Sequence, residues 1–198
     1  TTRLCERLVR TASEIVAPML AAGLNRQCEQ RVERSLMRGH HARRFQRRRR
    51  QHFASGLAIK KNRYGDRTFF SDNWPNKAHQ WLPTIDHPYD KATSEFLVTA
   101  PSHYQVVSNG LRVEVTDLPG ERRLTHWRNS IPIAPWLFTL GVARFAVQRV
   151  DTFEGKPIET WVYAQDRDAG FADFSTPTRS VVAFFSDYVG PFAYEKLA

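Results

Sequence analysis

Between Phe69 and Lys91 the chain reads FFSDNWPNKAHQWLPTIDHPYDK. The stretch concentrates side chains that can do chemistry. Asp72, Asp86 and Asp90 are carboxylates able to pair with cations. His79 and His87 are imidazoles that could bind a metal. Trp74 and Trp81 could wall a pocket or anchor a loop. A metal reading is weak on spacing: the two histidines lie eight residues apart in a loop, whereas catalytic zinc takes three protein ligands and an open position. They are expected to be hydrogen-bonded structural residues. His40 and His41 are adjacent, which is poor spacing for one ion. No HExxH, P-loop, GxGxxG or GxSxG motif occurs. Asp166-Arg167-Asp168 offers a carboxylate pair astride an arginine; as a surface turn it is expected to make local ion pairs.

The segment that carries these groups is too interrupted for a helix and too rich in proline for a central strand. It must be an ordered loop held by large anchors, and Trp81 beside Leu82-Pro83 reads as one of them. Strand signals follow in series. Ser94–Ala100 and His103–Ser108 are β-rich, and Asn109-Gly110 predicts a hairpin between the second of these and Leu111–Thr116. That third segment alternates, with Leu111, Val113 and Val115 on one face. Pro119-Gly120 suits a type II turn before Arg122–Arg128. Leu137–Val150 reads as one long strand, Asp151–Pro157 as a turn and Ile158–Ala164 as a further strand. Short antiparallel strands at this spacing indicate an all-β sandwich or barrel-like domain. Near Ser175 the period changes. Thr176 suits an N-cap and Pro177 a first helical position, with Val181, Val182, Phe184, Phe185, Tyr188 and Val189 forming an apolar face up to Gly190-Pro191.

Composition divides the chain near His52. The thirteen arginines and four glutamates of residues 1–52 give that block the whole net charge of +9, and Phe45 is its only aromatic. The remainder is balanced, holds the other aromatics and contains no cysteine, so it neither depends on disulfides nor binds metal through thiolates. The pI near 10 therefore describes the leader alone. Three readings of the leader stand side by side: a disordered, self-repelling block; a phosphate-binding arm built on Arg38–Arg50; and translation in a shifted reading frame. Nucleic acid is not the expected partner, because the arm holds no aromatic for base stacking beyond Phe45. No apolar run reaches the length of about 20 residues that a membrane-spanning helix needs, so the chain is expected to be soluble, in a compartment the sequence does not specify.

From about Gly56 to Ala198 several ordered motifs carry a resemblance: Asn62–Asp66 (NRYGD), Trp81-Leu82-Pro83 with Asp86-His87-Pro88 and Lys91, Ala100-Pro101, and Val107-Ser108-Asn109-Gly110. Ile133-Ala134 with Trp136, Trp161–Asp168 and Val189–Leu197 continue it. The chain resembles the first part of the aminopeptidase N family of zinc metallopeptidases, which includes leukotriene-epoxide hydrolases. Asp72-Asn73-Trp74-Pro75 looks like a bacterial subgroup.

The resemblance implies a mainly β architecture: a saddle-like antiparallel β-sandwich over residues 53–150, then the first strand and helix of a thermolysin-like α/β domain over residues 151–198. Residues 1–52 would be a non-native or disordered leader. The family's Gly-x-Met-Glu-Asn strand and zinc helix would lie beyond Ala198, so the chain is expected to be an amino-terminal fragment, without a zinc site and inactive alone. Zinc and a peptide substrate would belong to the full-length enzyme, which removes amino-terminal residues from peptides. The family's first domain contributes a loop residue, typically glutamine, near the substrate's amino end. That residue falls at Trp74, with Asp72 at a second glutamine position. Asp72, Asn73 and Trp74 are thus the implied substrate-binding residues, and no residue here is expected to be catalytic. Asp72 could pair with an α-ammonium or serve as an Asx-turn residue. Trp74 could wall a side-chain pocket or anchor the loop. The rival reading is a non-enzymatic β-sandwich binding module whose Arg-rich arm docks on nucleic acid.

Overall fold

A computed structural model describes residues 56–198. The expectations for residues 1–52, the leader and its arginine arm, lie outside the described residues. Among the described residues nine strands and one long helix follow in order. Strands β1 (Leu57–Lys61), β2 (Arg67–Ser71), β4 (Gln105–Ser108) and β7 (Leu140–Ala143) form a four-stranded sheet in the order β1-β2-β7-β4. Strands β3 (Ala92–Pro101), β5 (Leu111–Leu118) and β6 (Arg122–Ile133) form a second sheet in the order β3-β6-β5. Strands β8 (Phe145–Phe153) and β9 (Lys156–Tyr163) make a separate hairpin, against which helix α1 (Arg167–Val189) packs. All strand pairs are antiparallel.

The two larger sheets share one core. Phe69, Val106, Leu140 and Val142 from the first meet Phe96, Val98, Trp127 and Ile133 from the second, and Trp81 and Leu82 of the loop join them. This is the mainly β, sandwich-like architecture expected. β3 follows the period-2 rule closely, with Ser94, Phe96, Val98 and Ala100 buried between half-exposed neighbours. β7 is buried at all four positions, as befits a strand with neighbours on both edges.

Several local expectations give way. Asn109-Gly110 does not close a hairpin: β4 pairs with β7 and β5 with β6, so this corner carries the chain from one sheet to the other. The reason lies in Asn109, whose amide donates to the Leu137 carbonyl (3.0 Å) and accepts from the Thr139 N–H (2.6 Å), tying the corner to the approach to β7. Gly110 has φ +76° and so close an approach to the Arg128 carbonyl that a Cβ would lie 2.0 Å from its oxygen.

Leu111, Val113 and Val115 do not share a face. A bulge between Arg112 and Glu114 shifts the register, so Leu111 lies opposite Arg128 while Val115 lies opposite Thr125. The segment 137–150 is two strands in different sheets, parted at Arg144, whose carbonyl accepts from the Ala164 N–H (2.9 Å). The turn expected over Asp151–Pro157 shrinks to Glu154-Gly155, both with positive φ (49° and 76°), between the paired residues Phe153 and Lys156.

The helix begins at Arg167 and not at Pro177, which sits in its interior. A proline there removes one helical hydrogen bond. Packing on the hairpin offsets that loss. Gly170 lies flat against Val162, and the Ser175 hydroxyl lies 2.9 Å from Gln148 Oε1 and 3.2 Å from Thr160 Oγ1. The Thr176 hydroxyl donates to the Ala172 carbonyl (2.9 Å). Of the apolar residues expected on one face, Val182 is buried, whereas Val181, Phe184, Phe185, Tyr188 and Val189 are exposed. Gly190 ends the helix, as its position predicts.

Candidate functional site

The loop after β2 is pinned by Asn73, which is 3% exposed. Its amide nitrogen donates to the Phe138 carbonyl (2.5 Å), and its oxygen accepts from the Trp81 indole N–H (2.7 Å). Its own carbonyl accepts from the Lys77 N–H (2.9 Å). Trp81 is buried and stacked 6.3 Å from Phe96, so the expected anchor is in place. Ser71 adds a second tie: its hydroxyl accepts from the Leu140 N–H (2.9 Å).

The residues on either side of Asn73 face outward. The Asp72 side chain is 59% exposed and pairs with the Lys77 ammonium (2.5 Å). Trp74 is 64% exposed, and its ring meets Trp136 edge-on at 5.1 Å. Trp74 therefore forms a surface ledge rather than a core anchor. A buried amide thus fixes a carboxylate on one side and an indole pair on the other. Such an arrangement can bind a cation through the carboxylate and an apolar group against the rings.

The loop's other polar groups brace it. Asp86, whose side chain is 8% exposed, accepts from the His79 backbone N–H (3.2 Å) and lies 2.8 Å from His79 Nδ1. The Tyr89 N–H donates to His87 Nδ1 (3.3 Å), and the two rings stack. Both histidines are hydrogen-bonded structural residues. Asp166 makes no local pair: it binds Arg63 and the Tyr64 hydroxyl, a hundred positions back in the chain. Gln165 donates to Asp66 (2.7 Å) alongside. Two of the quoted motifs, Asn62–Asp66 and Trp161–Asp168, therefore meet.

Among the described residues, no three His, Cys, Asp or Glu side chains converge on a point where a metal could sit. His79 with Asp86, and His126 with Glu95 (3.3 Å), are pairs only. No helix among these residues is long and apolar enough to cross a membrane.

The aromatic loop, the sandwich and the crossover to β7 occupy one continuous region, and residues 55–137 match the model of the Peptidase M1 N-terminal domain. Through this region the chain resembles the amino-terminal domain of the M1 peptidases. Rat glutamyl aminopeptidase is 28% identical over 119 residues, which is 60% of this chain and 12% of that protein. Human glutamyl aminopeptidase is 28% identical over 120 residues, with the same shares covered. Aminopeptidase A of Gloydius brevicauda is 25% identical over 119. The matched part is thus about an eighth of each relative's length. Within the matched region, sequence reasoning missed Trp136 as the partner of Trp74 and Asn109 as the tie between sheets. Both lie beside motifs read for other purposes, and their partners are distant in sequence.

Proposed function

We propose that this chain supplies the substrate-facing first domain of a zinc aminopeptidase that shortens peptides from the amino end. Asp72 would hold the α-ammonium group, and Trp74 with Trp136 would flank the first side chain. Asn73, adjacent to both, would fix their geometry from inside. The observation that carries this reading is the alternation around Asn73: an exposed carboxylate and an exposed indole held at fixed positions by one buried, doubly bonded amide. Lys77 would leave Asp72 when an ammonium competes for it, since an exposed ion pair is worth only about 0–1 kcal/mol. The zinc, which would supply activated water for peptide hydrolysis, finds no ligand set among the described residues. Its ligands would belong to the catalytic part of the enzyme.

The test places Asp72→Asn in a full-length parent enzyme that carries this domain. A charge-assisted hydrogen bond is worth roughly 1.5–3 kcal/mol, so kcat/KM should fall on the order of 10- to 100-fold while melting temperature holds. Early melting with normal kinetics in the surviving protein would assign Asp72 to the turn instead.

A further inference from the structure

We propose that the cleft between the β8–β9 hairpin and the β4 and β5 strands binds a small organic anion: an oxyanion head, carboxylate or phosphate, on an apolar body. The cavity measures about 460 Å³ and is lined by Gln105, Arg112, Phe145, Val147, Arg149 and Glu159. That volume suits a small molecule. None of these residues belongs to the Phe69–Lys91 loop, and the inference does not depend on the aminopeptidase reading.

The hairpin's inner face supplies most of one wall. Its cross-strand pairs Phe145 with Tyr163, Val147 with Trp161 and Arg149 with Glu159 share that face. Phe145 is fixed by Trp161 and Tyr163, at ring distances of 5.9 and 6.0 Å. From the other side comes Arg112, whose guanidinium carbon lies 6.0 Å from the centre of the Trp127 ring. A guanidinium over an aromatic face keeps its N–H groups free for bidentate contact with a carboxylate or phosphate. Arg149 makes one contact, to the Thr152 hydroxyl at 3.4 Å.

Charge balance decides the ligand's sign. Among the described residues neither Arg112 nor Arg149 forms an ion pair. The one carboxylate in the lining is already engaged: Glu159 accepts from the Trp161 indole N–H (3.0 Å) and faces the charge of Lys196. Two guanidiniums and the Gln105 amide thus face a cleft whose remaining wall, Phe145 and Val147, is apolar. An anion with an apolar body answers both features.

The experiment titrates the whole chain with benzoate, phenyl phosphate, inorganic phosphate and benzylamine by calorimetry. Saturable binding of benzoate or phenyl phosphate is expected, and the tighter of the two identifies the head group. Arg112→Gln and Arg149→Gln should each weaken it at least tenfold without changing the melting temperature. The leader's arginines are present in every variant, so the difference isolates the cleft. Arg112→Lys keeps the charge but loses the fork, and it should weaken binding as well. Three results would overturn the proposal: no saturable binding of either aromatic anion, equal affinity in both glutamine variants, or binding of benzylamine as tight. Inorganic phosphate bound as tightly as phenyl phosphate would remove the apolar body from the assignment.

Discussion

The Trp81 indole N–H donates to the Asn73 side-chain oxygen at 2.7 Å, and both residues are buried. The same amide donates to the Phe138 carbonyl. One side chain thereby joins the aromatic loop to the segment leading into β7, and it stands between the two residues proposed to meet substrate.

Truncating Asn73 should destabilise the fold directly. Asn73→Ala leaves the Trp81 N–H and the Phe138 carbonyl without partners, and each stranded buried group costs about 1–3 kcal/mol. Asn73→Asp should cost as much or more, because it sets a carboxylate against the Phe138 carbonyl. Urea unfolding of both variants checks this. A double-mutant cycle with Trp81→Phe should give a coupling of roughly 0.5–3 kcal/mol; a coupling of zero would mean the bond contributes nothing.

Gly110 and Gly155 offer a matched pair. Both have φ +76°, but a Cβ meets the Arg128 carbonyl at Gly110 and nothing within 4 Å at Gly155. Gly155→Ala should therefore cost only the left-handed strain of about 1–2 kcal/mol. Gly110→Ala adds a backbone clash at the inter-sheet corner and should cost about 3 kcal/mol or more. Equal melting temperatures for the two variants would refute the close packing at that corner.

Lys196 should make stability depend on alkaline pH. Its ammonium donates to the Ser108 carbonyl and lies 4.6 Å from the Trp127 ring centre. Burial lowers its pKa from 10.5 to about 8, against the opposing pull of Glu159 and Glu195. The folded chain therefore holds fewer protons than the unfolded chain between about 8 and 10.5. The cost of burying the charge is fully present below that window and is relieved as pH rises through it. A shift of this size corresponds to at most about 3.4 kcal/mol. Measured against Lys196→Met, the wild-type chain should gain on the order of 2 kcal/mol between the two ends of that window. Parallel pH profiles would refute the assignment.

Releasing Asp72 from Lys77 should matter little to the fold. Lys77→Met removes an exposed pair worth about 0–1 kcal/mol, so melting temperature should fall by no more than about 4 °C. In a full-length parent the same change should strengthen, not weaken, capture of a substrate ammonium, read as a lower KM. A higher KM would mean that the pair itself orients Asp72.

What the sequence reveals of this fold follows the range of the forces involved. β3 is legible because its alternation is local and its inward face is apolar. The anchoring of the loop by Trp81 is legible because a tryptophan beside Leu82-Pro83 has few other uses. The Asn109-Gly110 corner is not, because its local chemistry is that of a hairpin, and only Leu137 and Thr139 redirect it. The start of α1 is hidden for a similar reason: Pro177 has the signature of a first turn, yet contacts from Gly170 and Ser175 to the hairpin extend the helix ahead of it. At the candidate site, Asp72 and Trp74 stand out by residue type. The inward turn of Asn73 depends on Phe138, which lies 65 positions away in the chain.

The bulge in β5 has a consequence for how the molecule behaves in company. β5 is an edge strand, and unpaired edges are templates on which other chains add as strands and begin to aggregate. By shifting register at Val113, the bulge breaks the repeat of backbone donors and acceptors that an incoming strand would need. It also denies that strand a continuous apolar face, since Leu111 and Val115 are turned to opposite sides and Arg112, Glu114 and Asp117 interrupt them. The irregularity that defeats a simple reading of the alternation is thus a safeguard against the sheet growing beyond its own three strands.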